Sequence, residues 1–234
     1  MPQLRVLSYN VRSLRDDAQA VATVIRSCAP DVACIQEAPR FFRWRTKCSE
    51  LARESGLYVV TGGRPAAAML LLATLRVRVV SAHDVLLSKK RGLHQRGMAV
   101  GMLEVEGLRF AAGSIHLDLE PGERRRHVDE ILVRASAFGA PSVLAGDINE
   151  LPEAPAWQAL VGAGYQDAYA IAPVGDGLTY SATKPQRRID GIFVDSRIRV
   201  VSCGVPDVPG IAAASDHRPV LAVLELPSDD RAVV

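Results

Sequence analysis

The sequence comprises 234 residues, of which 48% are hydrophobic and 23% charged, a composition typical of globular proteins rather than of disordered chains. Its formal net charge of +2 excludes the dense positive field of proteins that coat nucleic acids. No apolar run is long enough to span a membrane, and the N-terminus lacks a signal-peptide pattern, so we expect a cytoplasmic protein. The four cysteines have no C-x-x-C spacing and are predicted to be reduced core residues.

The first predicted unit is a strand, a helix and a second strand. It comprises LRVLSYNV (4–11), the helical pattern DDAQAVATVIRSCA (16–29) and the short buried-strand pattern DVACIQE (31–37). Ser13 and Asp16 have the spacing of a capping box, so we predict that they begin the helix.

A second helix is predicted over residues 40–54, because five apolar residues fall on one helical face: Phe41, Trp44, Cys48, Leu51 and Ala52. Two interpretations of the aromatic residues are open, a buried core face or a surface on which nucleobases stack. The helical spacing favours the core.

The middle of the chain changes to strand patterns. Five runs between residues 57 and 118 predict a β-meander, whose last two strands are joined by a Glu106-Gly107 turn. An amphipathic helix is then predicted over 121–138, with Pro121 in its first turn.

The remaining patterns complete one α/β domain, predicted to cover residues 1–226. They are a buried strand ending in GDIN, a short helix, a loop rich in Gly and Pro, and three closing strands. The last residues, 227–234, are predicted to form a frayed tail.

Polar residues stand at six strand ends or in the loops beside them: Asn10, Glu37, His116, Asp147 with Asn149, Asp190, and Asp216 with His217. Each alone has an ordinary structural explanation, such as a turn or a helix terminus. Strand ends at one edge of a sheet converge, so the set predicts a single site. Carboxylates and amides without paired Cys or His suit Mg²⁺ or Mn²⁺ better than a structural zinc ion, and Glu37 is the preferred ligand.

Basic residues are bunched in four segments: 40–47, 89–96, 123–127 and 185–190. One such cluster is usually a solvated surface. Four together favour a polyanionic substrate.

Six short motifs follow one another between residues 5 and 220: LSYNVR, CIQE, GSIHLD, GDIN, RRIDGIF and SDHRPV. In kind and order they resemble the motifs of the endonuclease/exonuclease/phosphatase superfamily, which has the deoxyribonuclease I-like fold. The resemblance implies a four-layer α/β/β/α sandwich with the site at one end of two packed sheets. It also implies a divalent-metal phosphoesterase activity.

The resemblance implies roles for the residues at matching positions. Glu37 would bind the Mg²⁺ or Mn²⁺ ion, with Asn10 and Asp216 close to it. Asp147 would orient or deprotonate the attacking water, and Asn149 would hold a phosphate oxygen.

The remaining implied roles concern the phosphate and its leaving group. His217 would contact the scissile phosphate or take part in proton transfer, with Asp190 holding its ring. His116 would lie near the leaving group, and Arg96 would help to fix the phosphate environment. These roles agree with the physics of phosphoryl transfer, which depends mainly on positioning and on neutralising oxyanion charge.

Two positions depart from the family pattern. Arg12 stands where abasic-site endonucleases of the family carry Asp or Asn, which disfavours a specialised abasic-site enzyme. The apolar segment AAAMLLLATLRV (66–77) provides no clear Tyr or Glu partner for His116.

The leading functional expectation is a divalent-metal-dependent phosphodiester hydrolase, a monomeric nuclease acting on DNA or RNA. A phosphomonoesterase, or a phospholipid or nucleotide phosphodiesterase of the same fold, is the alternative. A non-catalytic binding module is disfavoured because it would predict a damaged motif set, whereas every central position is present.

Overall fold

Two β-sheets form the centre of the computed structural model, which describes residues 2–227. In chain order the strands are β1 (Gln3–Asn10), β2 (Val32–Gln36), β3 (Tyr58–Gly63), β4 (Met69–Ala73), β5 (Arg78–Leu86), β6 (Gly97–Val105), β7 (Leu108–His116), β8 (Ser142–Asp147), β9 (Tyr165–Asp167), β10 (Pro173–Val174), β11 (Asp190–Asp195), β12 (Arg199–Gly204) and β13 (Val220–Glu225). The helices are α1 (Ala18–Cys28), α2 (Trp44–Glu54), α3 (Pro121–Ser136), α4 (Pro155–Gly162), α5 (Ala168–Ile171) and α6 (Ile211–Ala214). The first sheet has the order β10-β12-β13-β1-β2-β4-β3 and the second β5-β6-β7-β8-β11-β9.

Three apolar layers hold the sheets and helices together. Alternate residues of β1 point to opposite faces, so that Leu4 and Val6 lie between the two sheets, whereas Leu7 and Tyr9 pack beneath α1 and α2. A third layer, around Trp157, lies between the second sheet and the helices α3 and α4. The predicted α/β/β/α sandwich is therefore confirmed.

The start of α1 differs from its prediction. Asp17 is the N-cap residue, and its side chain accepts a hydrogen bond from the Ala20 amide at 2.9 Å. Ser13 lies in a 3₁₀ turn with a φ of 56°, and Asp16 pairs with Arg12. The capping-box prediction is wrong because the chain makes this extra turn before the helix begins.

The predicted five-strand meander is divided between the two sheets. The hairpin of β3 and β4 joins the first sheet beside β2, while β5, β6 and β7 form an antiparallel meander in the second. The reason lies in β4, which is buried on both faces and therefore needs a covered, interior position. The predicted turn between β6 and β7 is confirmed, and Glu106 and Gly107 have φ values of 52° and 84°, as tight hairpin turns require.

The helix α2 begins at Trp44, four residues later than predicted. Arg43 has a left-handed φ of 54°, which turns the preceding segment out of the helix. Phe41 and Phe42 are 73% and 83% exposed. The core interpretation therefore holds for residues such as Cys48 but is wrong for Phe41.

The remaining sequence-based expectations concern cysteines, membrane spans and the tail. All four cysteines are free and buried, as predicted. Among residues 2–227, no helix has the length and apolar character needed to cross a membrane. Residues 228–234 of the predicted tail lie outside the described residues, so the division at residue 226 stays a prediction.

Candidate active site

Three neighbouring strands of the second sheet form the floor of the site. His116, at the end of β7, is in register with Asp147 at the end of β8. Asp147 is also in register with Asp190, the first residue of β11. Residues in register on neighbouring strands point to the same face of a sheet, so these three buried side chains converge.

Asn10 connects this floor to the first sheet. Its buried Nδ2 atom donates hydrogen bonds to Asp147 Oδ2 at 3.1 Å and to Glu37 Oε1 at 3.3 Å. Glu37 follows β2, the strand parallel to β1, and its φ of 51° turns the chain away from the sheet. One amide group therefore holds two carboxylates that come from different sheets.

His217 and Asp190 form a buried ion pair beside Asp147. The Nδ1 atom of His217 lies 2.9 Å and 3.2 Å from the two Asp190 carboxylate oxygens, and its Nε2 atom lies 3.7 Å from Asp147 Oδ2. Burial alone lowers the pKa of His217, but the carboxylates, Asp190 foremost, raise it to about 10. The imidazole is therefore held as an imidazolium near neutral pH.

The pKa of Asp147 is also raised, which for a carboxyl group favours the neutral form. Burial, and then the charge of Asp190, raise the pKa of Asp147 to about 7. The His217 charge, and hydrogen bonds from Asn10 and the Asn149 backbone, act in the other direction. The negative charge at this point is thus only partly compensated by the protein.

His116 is buried between Asn149 and Asp147. Its Nε2 atom lies 2.9 Å from Asn149 Nδ2, which donates to the Leu117 carbonyl at 3.0 Å, and 3.3 Å from Asp147 Oδ2. Burial, and then the charge of Arg96, lower the pKa of His116 well below its ordinary value. The segment 66–77 provides no partner for His116, whereas the loop after β8 provides Asn149.

The same contacts bear on the predicted role of Asn149. Its side-chain nitrogen donates to the Leu117 carbonyl and contacts His116 Nε2. A phosphate oxygen would have to replace one of these contacts. Phosphate binding by Asn149 stays a prediction.

Arg96 lies on the other side of the floor, with its side chain only 11% exposed. Its Nε atom is 3.6 Å from Asp118 Oδ2. Burial lowers the pKa of Arg96, and the charges of Asp118, Asp147 and Glu37 offset part of that shift. Arginine keeps its charge under such conditions, so Arg96 supplies a fixed cation facing the carboxylates. Asp118 was not singled out from the sequence, although it lies within the GSIHLD motif.

Asp216 is partly paired by a cation of the chain itself. Its Oδ2 atom lies 3.4 Å from Arg12 Nε, and Arg12 also contacts Asp16. The neighbouring Ser215 Oγ donates to the Asn10 carbonyl at 2.8 Å, which fixes this loop against the end of β1. Asp216 is thus near the site, but Arg12 competes with a metal ion for its carboxylate.

Two sets of side chains have the composition of a metal site. Ligand atoms of Asp147, Asp190 and His217 all lie within 4.8 Å of one another. In that set both oxygens of Asp190 are engaged by the imidazolium, which already balances its charge. Glu37 with Asp147 fits a hard cation better, because it offers carboxylate oxygens without a competing cation in hydrogen-bond contact.

Comparisons with known proteins concern the family and the fold. The model of the Endonuclease/Exonuclease/phosphatase family matches residues 7–217, which include every predicted site residue. Among curated proteins, none matches the chain significantly.

Solved structures share the fold at low sequence identity. A mannosyl-6-phosphatase from Bacteroides thetaiotaomicron is 20% identical, with a TM-score of 0.81 and coverage of 94% of this chain and 99% of that one. The human Nocturnin catalytic domain is 17% identical, with a TM-score of 0.75 and coverage of 96% and 94%. Truncated Caenorhabditis elegans TDP2 is 16% identical, with a TM-score of 0.71 and coverage of 95% and 98%. At these identities the similarity shows the fold alone.

Proposed function

The chain belongs to the endonuclease/exonuclease/phosphatase family, and from this premise we propose that it is a divalent-metal-dependent phosphodiester hydrolase, a nuclease acting on DNA or RNA. One observation carries the proposal. The Asn10 amide holds the carboxylates of Glu37 and Asp147 together beside the His217 imidazolium, so anionic and cationic groups meet at one point. Hydrolysis of a phosphate ester requires such a pairing, to bind a cation and to stabilise oxyanion charge.

Glu37 is the proposed ligand of Mg²⁺ or Mn²⁺, with Asp147 joined to it through Asn10 and with Asp216 nearby. When bound, the ion would polarise the phosphoryl group and neutralise its developing negative charge. The protein groups would do the rest of the chemistry.

In the proposed reaction a water molecule attacks phosphorus, forming one P–O bond while the ester P–O bond breaks. Asp147 orients this water and accepts its proton, a role that suits its place between the two sheets. His217 faces the phosphate through its Nε2 edge and stabilises oxyanion charge, while Asp190 fixes the ring through Nδ1. Arg96 adds a second positive charge, and His116 lies beside the departing oxygen.

The test is an activity panel measured with and without EDTA. Single-stranded and duplex DNA, RNA, bis(p-nitrophenyl) phosphate and p-nitrophenyl phosphate are incubated with the protein and Mg²⁺ or Mn²⁺. We expect cleavage of diesters that chelation abolishes and that Glu37→Gln and His217→Ala reduce about 10²- to 10⁴-fold. Activity unaffected by EDTA, or retained by both variants, would contradict the proposed mechanism.

A matched control shows whether loss of activity depends on the position of the substituted glutamate. Glu225→Gln makes the same substitution in β13, where Glu225 pairs with the exposed Arg199 rather than with the site. This variant is expected to keep full activity.

Phosphomonoester hydrolysis is the second candidate. A mannosyl-6-phosphatase covers 94% of this chain in a structural comparison, and the same charged groups suit a terminal phosphate. In the panel, faster hydrolysis of p-nitrophenyl phosphate than of the diester would favour this candidate over the nuclease.

A further inference from the structure

A groove of about 830 Å³ lies between the loop that follows β2 and the loop that joins β5 to β6. We call it the aromatic groove. The residues that define it are Arg40, Phe41, Phe42, Trp44 and Lys89. The catalytic chemistry proposed above uses none of them.

Three aromatic residues, Phe41, Phe42 and Trp44, line one wall of the aromatic groove. Phe41 and Phe42 expose 73% and 83% of their surface, a large apolar area for solvent-facing side chains. Trp44 behind them is partly buried against Gly63. The wall therefore carries two highly exposed aromatic side chains.

The electrostatic character of the aromatic groove is uniformly positive. Its basic residues come from three separate segments of the chain: Arg40 and Arg43, Arg64, and Lys89 with His94. None of its lining residues is acidic. Arg40 stands over the Phe41 ring at 5.2 Å from its centroid, so cation and ring already share one surface.

Two segments that line the aromatic groove adjoin residues of the candidate active site in the chain. Arg40 is three residues after Glu37, in the same loop. Gln95, in the groove lining, directly precedes Arg96, and the charge of Arg40 contributes to lowering the pKa of His116. A chain bound with one phosphate at Asp147 could thus continue directly into the groove.

We propose that the aromatic groove binds an unpaired stretch of nucleic acid next to the scissile phosphate, with bases stacked on Phe41 and Phe42. Backbone phosphates would contact the basic side chains. This inference rests on the proposed nuclease function and deepens it, because it selects single strands over duplexes. Bases in a duplex are stacked on each other, and their faces cannot reach protein rings.

Charge complementarity and shape favour a nucleic acid over a lipid surface. Basic residues from three separate segments of the chain surround Phe41 and Phe42, and they can contact successive phosphates of one strand. A groove that alternates ring faces with cations matches the alternation of bases and phosphates in a single strand.

The test measures the binding of fluorescent oligonucleotides in EDTA, where cleavage is prevented. Wild-type protein is expected to bind oligothymidylate more tightly than a duplex of the same length. Phe41→Leu/Phe42→Leu keeps the apolar bulk but removes the ring faces, and is expected to weaken single-strand binding about tenfold or more while changing duplex binding little. Leu75→Ala, a substitution at a 93% exposed residue beyond the other end of β4, is the matched control.

Two results would overturn the inference. One is equal affinity of wild-type protein and the leucine double variant for oligothymidylate. The other is binding to phosphatidylcholine–phosphatidylserine vesicles that Phe41→Ala/Phe42→Ala abolishes and the leucine variant retains, which would identify a membrane surface instead.

The hydrolysis of bis(p-nitrophenyl) phosphate by wild-type protein separates this inference from the proposed function. If the chromogenic diester is cleaved but single strands gain nothing from the rings, only the groove proposal fails. If oligothymidylate binds through the rings but no diester is cleaved, only the catalytic proposal fails.

The proposed contacts between basic side chains of the groove and backbone phosphates are tested by salt dependence. Lys89→Ala removes one proposed phosphate contact and is expected to reduce the slope of log affinity against log salt concentration by about one for oligothymidylate. Arg134→Ala, at an exposed position on α3, is expected to leave that slope unchanged. Equal slopes for Lys89→Ala and wild-type protein would contradict the phosphate contact.

Discussion

His217 lies in a position where burial and charge act against each other. Burial disfavours the imidazolium, but the Asp190 carboxylate at 2.9 Å favours it strongly enough to raise the pKa to about 10. The side-chain hydrogen bonds of Asp190 within the described residues go to His217, and its charge also raises the pKa of the neighbouring Asp147. We therefore treat Asp190 as a positioning residue rather than as a direct participant.

The first prediction follows from this pair. Asp190→Asn removes the charge that holds the proton on His217, so the pKa of His217 is expected to fall. Diester hydrolysis should drop about 10²- to 10⁴-fold, and the alkaline limb of kcat/KM should move to lower pH. Asp195→Asn, at the other end of the same strand, is the control because Asp195 pairs with Arg197 instead. A uniform loss of activity without a shifted pH profile would contradict the positioning role.

A second prediction concerns stability without metal. The folded pKa of about 7 for Asp147 exceeds the ordinary 3.8, and that of about 10 for His217 exceeds 6.5. Between about pH 4 and 10 the native site therefore binds more protons than the unfolded chain. Its contribution to the free energy of unfolding is largest at the acid end and is lost as pH rises through these folded values.

Urea unfolding of EDTA-treated protein at about pH 6 and pH 9 measures this effect. We expect wild-type protein to lose stability over this interval, and His217→Asn to lose less. An identical pH dependence for the two proteins would show that His217 does not titrate as described.

Element boundaries account for two sequence predictions that were wrong. The helix α1 begins at Ala18 behind the Asp17 cap, and α2 begins at Trp44 behind Arg43. In both cases the apolar periodicity correctly indicated a helix, but a residue with positive φ upstream redirected the chain. Periodicity reports which face is buried within a helix; it carries no information on a single left-handed residue such as Arg43.

A third prediction tests the cap of α1. Asp17→Ala is expected to destabilise the protein by about 0.5 to 2 kcal/mol, because the Ala20 amide loses its acceptor. Ser13→Ala should cost much less, since its hydroxyl caps nothing. Chemical denaturation of the two variants distinguishes them, and a larger loss for Ser13→Ala would restore the capping box.

A fourth prediction concerns the support of the aromatic groove. Gly63 has a φ of 82°, and a Cβ atom there would lie 2.4 Å from the Trp44 ring. Gly63→Ala is expected to destabilise the protein by about 1 to 3 kcal/mol and to weaken oligothymidylate binding by moving Trp44. Gly56→Ala is the matched control, because Gly56 has a similar φ of 75° but no atom within 4 Å of the added group. Equal binding by both variants would mean that Trp44 does not support the groove.

At the scale of the whole molecule, the candidate site lies across the two sheets. Glu37 and Asn10 belong to the first sheet, and Asp147 belongs to the second. A cation bound to both Glu37 and Asp147 would therefore link the two sheets, which the apolar layer between them already holds together.

The fifth prediction follows from that arrangement. Mg²⁺ or Mn²⁺ at about 100 times its dissociation constant should stabilise the folded protein by about 2.7 kcal/mol. For a chain of this size, that corresponds to a Tm increase of about 5 to 11 °C. Glu37→Gln should reduce the increase strongly in thermal melts, while Glu225→Gln should retain it. A Tm that does not respond to either ion would contradict metal binding at Glu37.

The family resemblance of the motifs allowed the four layers to be predicted, and the polar strand ends allowed the convergence of residues such as Asp147 and Asp190 to be predicted. It could not assign β4 to its sheet, since a strand buried on both faces has no alternating pattern. The bond of Asn149 to His116 and the exposure of Phe41 were also inaccessible. Each depends on the path of a loop, which residue types alone do not determine.

The bond from Ser215 Oγ to the Asn10 carbonyl joins residues 205 positions apart, and β13 lies beside β1. The contact between the two ends of the chain can form only late in synthesis. A nascent chain on the ribosome has Asn10, Glu37, Asp147 and Asp190 long before it has His217. The candidate active site can therefore be completed only after the segment that holds His217 has emerged, and β1 gains its second neighbour when β13 follows.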